Sequence, residues 1–397
     1  MMSETNKRFS RMRMQRLELA FSLMFLIFSG LQAFARAAQN VIAANSETRP
    51  PPAIRIVFFT PSDRAMPGGT RERLTKIANV TEKFFFHGMN HWGYPPVARS
   101  LFRREPDGLV EVLNVQGDMP VSSGNYDKPT YAKDVIKQAT QQYHVTGEGL
   151  VWWIFVYLGE PPARFEVFMG TGNPRDGGWS MANYDSTPGE IRSDLGLAEG
   201  FNGKYFLKGT IHELGHALGL HHTGPDLSLG LGNSLMGPTT AEYKARKGPN
   251  PEQVYLNESS AAMLWRHPLF SGIPMNGVHL PIVKLVDYKP VFDRTNDAVT
   301  ISGKLVSDQT THSVVLIDDL GRPGDQYWVQ SHTARIGPGG AFQIKINKPA
   351  KVNGHYRILF CFDNGLVTGD GDHVAFENQG AIRKAYSFRN DDFQFGN

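Results

Sequence analysis

An α+β fold, in which an α/β mixed sheet with helices is followed by an all-β sandwich, is the class this sequence predicts, and three observations carry it. Residues 53–158 alternate in the order strand, helix, strand, strand, helix, strand, the pattern of a sheet covered by helices. A further amphipathic helix follows, with two histidines one turn apart, His212 and His216. From about residue 280 the texture changes to short alternating segments separated by glycine-rich turns. The expected boundaries are therefore 1–35, 36–52, 53–279 and 280–397.

The first segment has the build of an export signal. Lys7, Arg8, Arg11, Arg13 and Arg16 precede the apolar run Leu19 to Phe28, and Ala33-Phe34-Ala35 offers a small-x-small cleavage pattern. The run is too short to span a bilayer comfortably; an uncleaved amphipathic anchor is the alternative. The sequence holds 41 Lys+Arg against 38 Asp+Glu. Removing residues 1–35 takes five basic and two acidic groups, which leaves a chain that is neutral by formal count and gives no reason to expect nucleic acid as a partner. Its expected location is secreted, periplasmic or cell-surface, with no membrane span after cleavage. Cys361 is the only thiol, so no disulfide can form within the chain. Residues 36–52 end in Arg49-Pro50-Pro51-Pro52 and read as an extended leader.

Ile54 to Phe59 is strand-like, and Thr70 to Trp92 carries Leu74, Ile77, Phe84 and Phe85 at helical intervals. Ala98 to Arg104 and Leu109 to Val115 read as two strands joined by the turn Pro106-Asp107-Gly108. Pro129 to Tyr143 is a second helix, and Leu150 to Leu158 is apolar throughout, as suits a strand covered on both faces. Residues 170–203 are rich in Gly, Pro, Asp and Asn and read as loop, with one strand-like patch at Trp179 to Tyr184. In the last part, Val299 to Ile301, Val314 to Ile317, Tyr327 to Val329, Phe342 to Ile346 and Tyr356 to Phe362 read as strands of a small sandwich.

Thr210-Ile211-His212-Glu213-Leu214-Gly215-His216-Ala217-Leu218-Gly219-Leu220-His221-His222 carries the chemistry. On a helix over Lys204 to Leu218, the side chains Leu207, Ile211, Leu214 and Leu218 share one face while His212, Glu213 and His216 occupy another. Two imidazoles one turn apart can hold one Zn²⁺, with Glu213 beside the ion as a general base. Gly219 can adopt positive φ, end the helix and swing the chain back. His222 is then the expected third ligand, with His221 as the neighbouring candidate, and a fourth position stays open for water. The alternative is an ordinary amphipathic helix with surface histidines.

The run His-Glu-x-x-His-x-x-Gly-x-x-His resembles the signature of the metzincin clan of zinc endopeptidases, which includes matrixins, astacins, serralysins and adamalysins. Ser234-Leu235-Met236-Gly237 is similar to the methionine turn of that clan, and residues 53–270 resemble its catalytic domain. The resemblance implies that His212, His216 and His222 bind zinc, that Glu213 is the general base and that Met236 lies beneath the metal. It also implies that substrate runs along an edge strand upstream of the zinc helix, for which Trp179 to Tyr184 is the candidate. There are departures. Pro238 stands where astacins and serralysins carry a tyrosine, leaving Tyr243 as a remote substitute, and Thr223 assigns the chain to none of the four families. The position of Cys361 and the short leader exclude latency by a cysteine of a propeptide.

Other residues read more plainly. His87 and His91 are a satisfied or surface pair rather than a metal site, Thr368 to Asp372 is an ordinary turn rather than a calcium loop, and Cys361 is a buried, inert thiol. Trp152 and Trp153 are core. Tyr327, Trp328 and Tyr356 are available as stacking platforms should the sandwich bind carbohydrate, cell wall or protein. The expected function is that of an exported zinc-dependent endopeptidase acting on a peptide or protein. The alternatives are a zinc-holding scaffold without turnover and a zinc hydrolase of a non-peptide amide or ester in a cell wall.

Overall fold

The computed structural model of the chain describes residues 53–145, 150–159, 167–184, 186, 191, 197, 207–273, 278–320, 326–376 and 379–396. The expected export signal and leader lie outside them. The described residues fall in one compact unit, Pro52–Asn397.

A five-stranded sheet organises the first part: β1 (Ile54–Thr60), β2 (Val112–Gln116), β3 (Val151–Val156), β4 (Phe168–Asn173) and β5 (Gly177–Asn183), in the order β2-β1-β3-β5-β4. Four strands run parallel, and β4 pairs antiparallel with β5. Strand periodicity explains the unbroken apolar runs. Ile54, Ile56 and Phe58 of β1 and Trp153 and Phe155 of β3 enter one core, whereas Val57, Phe59, Trp152 and Ile154 enter the other. Helix α1 (Thr70–His91) covers the first face with Leu74, Ile77 and Phe85. Helix α2 (Ala132–Tyr143) covers the second with Val135 and Ala139.

Three sequence-based expectations need correction here. The segment Ala98 to Arg104 forms only isolated bridges, Ile54 to Phe102 and Arg104 to Val110, so the expected hairpin has one strand, β2, which pairs with β1 instead. Residues 168–183 are a β4–β5 hairpin rather than mostly loop. Trp179 to Tyr184 is no edge strand, because β5 is hydrogen-bonded to β3 on one side and to β4 on the other; among the described residues β4 is the edge. The cause is packing. Helix α3 (Leu207–Ala217) lies directly on this hairpin, and a Cβ added to Gly172 or Gly178 would run into the Ala217 carbonyl oxygen. The glycines that look like loop composition are what allow helix and sheet backbones to touch.

Short elements close this part: β6 (Asn233–Ser234) pairs with β7 (Val254–Tyr255), and α4 (Thr240–Ala245), α5 (Glu258–Leu264) and α6 (Pro268–Ser271) complete it. Helix α5 ends at Leu264, and a new turn begins at Pro268, whose fixed φ suits a first helical position.

The C-terminal part is sheet-rich. β8 (Lys284–Asp293), β9 (Ala298–Val306) and β12 (Ala341–Asn347) form one sheet in the order β12-β9-β8. β10 (Thr311–Asp319), β11 (Gln330–Arg335), β13 (Gly354–Phe362), β15 (Ile382–Arg389) and β16 (Asp392–Phe395) form the other in the order β11-β10-β13-β15-β16, with β14 (Val367–Thr368) paired to β13. Tyr327 to Val329 was expected as a strand but precedes β11 as a turn and bend.

Alternation again decides what touches what. Val314, Leu316, Ile358 and Phe360 face the other sheet, while Val315, Ile317, Leu359 and Cys361 join the core of the first part. Polar contacts follow the same seam: Arg335 lies 3.7 Å from the Tyr94 ring centroid and donates to the Gly93 carbonyl, and Ser259 and Thr333 hydroxyls are 2.9 Å apart. No helix among the described residues is long and apolar enough to cross a membrane.

Candidate metal centre

Helix α3 is amphipathic, with Leu207, Ile211 and Leu214 buried and His212, Glu213 and His216 on another arc. It ends at Gly219, where φ is 83°. The Gly219 N–H donates to the His216 carbonyl and the Leu220 N–H to the Gly215 carbonyl, a paired arrangement that reverses the chain at little strain. The reversal has two effects. It carries His222 back beside the helix, and it aims the Leu220 carbonyl at His216 Nδ1, 2.9 Å away.

His212, His216 and His222 thus come together. The Nε2 of His216 is 3.1 Å from that of His212 and 3.0 Å from that of His222. Three donors placed tetrahedrally about 2.05 Å from one ion would be roughly 3.3 Å apart. Tautomers fit as well: with Nδ1 of His212 donating to the Leu235 carbonyl at 2.8 Å and Nδ1 of His216 to Leu220, both Nε2 lone pairs point inward. Burial holds all three imidazoles below their ordinary range, His222 down to about 3, so they are neutral and ready to coordinate. This donor set suits a divalent cation. His221, the neighbouring candidate, is buried nearby but is not one of the three converging rings.

Glu213 is half-buried, and burial pushes its carboxyl up to about 7 against the pull of the Lys208 ammonium. Lys208, one turn before His212, was not singled out from the sequence. It is buried, its pKa is lowered by burial to about 7, and Nζ donates to the carbonyls of Gly237 at 3.1 Å and Pro238 at 2.8 Å. A lysine in register with the ligand face was the available signal. Its bonds pin the loop after Met236 beneath the helix. Met236 itself is buried, and its sulfur would lie 2.5 Å from a Cβ built on Gly215, so the glycine inside the motif makes room for the methionine.

The segment after His222 is fixed from both sides. Thr223 N–H donates to the Met236 carbonyl, Ser234 Oγ to the Thr223 carbonyl at 2.6 Å, and Asn257 Nδ2 to Thr223 Oγ1 at 2.6 Å. The C-terminal part reaches the same place. Tyr327 sets its ring 4.2 Å from that of His222 and 6.0 Å from that of His212. A cavity of about 350 Å³ opens beside the triad, walled by Gly170, His216 and His222 on one side and by Asp319, Arg357 and Phe376 on the other.

Long-range pairing of β10 with β13, which no local pattern reveals, brings Asp319 and Arg357 here. Of the three aromatics named as platforms, only Tyr327 meets the triad: Trp328 is locked by a bond from Nε1 to Glu242, and Tyr356 is buried in the sandwich core. Tyr243, the remote substitute for a catalytic tyrosine, is buried with its hydroxyl bound to the Pro249 carbonyl. Among the described residues no second group of three metal-type ligands comes together. Asp370 accepts from the backbone of Asp372 and His373, a simple turn. Cys361 is buried and its thiol is pushed up to about 12.

These features define a three-histidine group that could hold a metal ion, at the junction of a helix-covered sheet and a sheet-rich C-terminal part. No protein-family model matches the chain, and no curated protein does. Solved structures of OgpA from Akkermansia muciniphila share the fold. A catalytically inactive form in complex with an O-glycopeptide substrate, glycodrosocin, is 20% identical with a TM-score of 0.63, covering 87% of this chain and 95% of that one. Wild-type OgpA in two crystal forms is 18% and 19% identical, each with a TM-score of 0.63 over 87% of this chain.

Proposed function

We propose that this protein is an exported zinc metalloendopeptidase, similar to the metzincin clan, that cleaves peptides carrying an O-linked sugar. The convergence of three neutral imidazoles, with Glu213 following the first of them, is the observation that carries the reading. His212, His216 and His222 would hold Zn²⁺ and leave a position open; the bound ion supplies a water acidic enough to ionise near neutral pH. Glu213, beside that position, would accept a proton on its carboxylate and return it to the leaving amine. Among the described residues β4 ends the sheet, so its outer side is where an extended substrate would align.

The sugar enters the proposal on two grounds. The fold is shared with a protein whose inactive form holds an O-glycopeptide substrate. The cavity also has room beside the scissile position, and its far wall combines a carboxylate, a guanidinium and a ring: Asp319, Arg357 and Phe376. Such a wall suits hydroxyl groups with an apolar face behind them.

Incubation of the purified chain with an O-glycopeptide and with the same peptide lacking the sugar, each with and without chelator, tests this by mass spectrometry of the products. Chelator-sensitive cleavage of the glycosylated peptide is expected. Zinc binding without cleavage of any peptide would favour the scaffold alternative, and cleavage only of cell-wall amides or esters the other.

A further inference from the structure

Two of the three imidazoles are oriented by backbone carbonyls through Nδ1: His212 by Leu235 and His216 by Leu220. Among the described residues His222 has no such partner on Nδ1; its neighbours are the two other histidine rings and the ring of Tyr327. A metal ligand with an unfixed ring loses rotational freedom when it binds, and affinity falls accordingly. Something else has to hold it.

The connection into β11 has the means. Tyr327 lies against His222 with the ring planes tilted by 54°. The next residue, Trp328, is anchored in the first part at two points: Nε1 donates to Glu242 Oε1 at 2.8 Å, and the Arg246 guanidinium lies 4.2 Å from its ring centroid. The backbone then binds the segment that carries the third ligand. Gly224 N–H donates to the Val329 carbonyl at 2.6 Å, and Gln330 Nε2 donates to the Pro225 carbonyl at 3.2 Å. The approach is so close that a Cβ on Gly224 would sit 2.6 Å from the Trp328 carbonyl carbon. Tyr327 therefore has little freedom to leave His222, since the residues following it are fastened to α4 and to the two residues just beyond Thr223.

We infer that Tyr327 is a positioning residue for the metal centre: its ring, braced through Trp328, fixes the orientation of His222, so that the C-terminal part of the chain sets metal affinity. This rests on the reading of the triad as a zinc site and goes beyond it, because that reading gives the C-terminal part no share in holding the ion.

The test is a competition titration of Zn²⁺ against a chromophoric chelator with the full chain, run alongside circular dichroism. Tyr327→Phe keeps the ring and is expected to bind zinc like the unsubstituted chain. Tyr327→Ala is expected to bind ten- to a hundredfold more weakly at unchanged secondary structure, and Trp328→Ala, which frees the brace, to move the same way. In a His222→Ala background, Tyr327→Ala should add nothing, which separates orientation of the ligand from a general loosening. Zinc affinity unchanged in Tyr327→Ala would overturn the inference while leaving the metal reading intact, as would equal losses in the Phe and Ala variants. Absence of zinc binding by the unsubstituted chain would remove both.

Discussion

Gly170 of β4 lies directly under Glu213 of α3: a Cβ built on the glycine would collide with the Glu213 carbonyl oxygen. The obstacle is backbone, which cannot step aside without moving the helix that carries His212 and His216. Gly170→Ala is accordingly expected to lower stability by about 3 kcal/mol, at the upper end of overpacking costs, and to weaken metal binding as well. Gly215→Ala meets the Met236 thioether instead. That side chain is flexible, so a cost of about 1 kcal/mol is expected. Urea denaturation of the two variants checks the order; an equal or reversed pair contradicts the packing described.

Glu213→Gln keeps the shape of the site and removes the proton acceptor. Turnover of a glycopeptide should fall by about 10³-fold or more while zinc stays bound, whereas His216→Ala should lose metal and turnover together. Metal analysis and initial rates on the same preparations decide this. Full activity in the Gln variant would take Glu213 out of the mechanism.

Asp319→Asn should leave cleavage of an unglycosylated peptide unchanged and reduce the preference for its glycosylated form by about tenfold, the worth of one or two hydrogen bonds. The measurement is kcat/KM on the matched pair. An unaltered ratio would detach the sugar from the Asp319 and Arg357 wall.

Acid should weaken the chain through histidines outside the metal centre. Burial lowers His267 and His312 to about 3 and His332 to about 4, from 6.5. A lowered folded pKa means that the stabilising contribution is complete above pH 6.5 and is lost as pH falls toward 3, since the unfolded chain takes up protons first. His312 packs on Trp265 and Tyr94, at the seam between the two parts. The urea midpoint measured in chelator should therefore drop steadily between pH 6.5 and 4; a flat profile would show that these rings protonate without penalty.

How far the sequence could be read follows from the range of the interactions involved. Spacing alone brought out His212, His216 and His222 together with the turning Gly219, because helix pitch and one positive φ are local properties. Strands β1 and β3 were legible from apolar runs, since burial on both faces erases alternation. The β4–β5 hairpin was not, because Gly170, Gly172 and Gly178 serve a close approach to a helix some thirty or more residues away along the chain. Tyr327 read as part of a strand since aromatics suit strands, and nothing local signals that it meets His222. Asp319 and Arg357 carried no motif at all. Their place in the cavity depends on β10 pairing with β13 and on that sheet docking against the first part.

The strap that passes over Gly224 also bears on how the molecule matures. Its fastening bond joins Trp328 to Glu242, 86 residues apart, so it cannot form before the chain has been made as far as Trp328. A growing polypeptide that ends before β10 already owns every nitrogen of the triad but lacks the clasp on the last of them. By this arrangement the last ligand gains its clasp only once synthesis has passed β10.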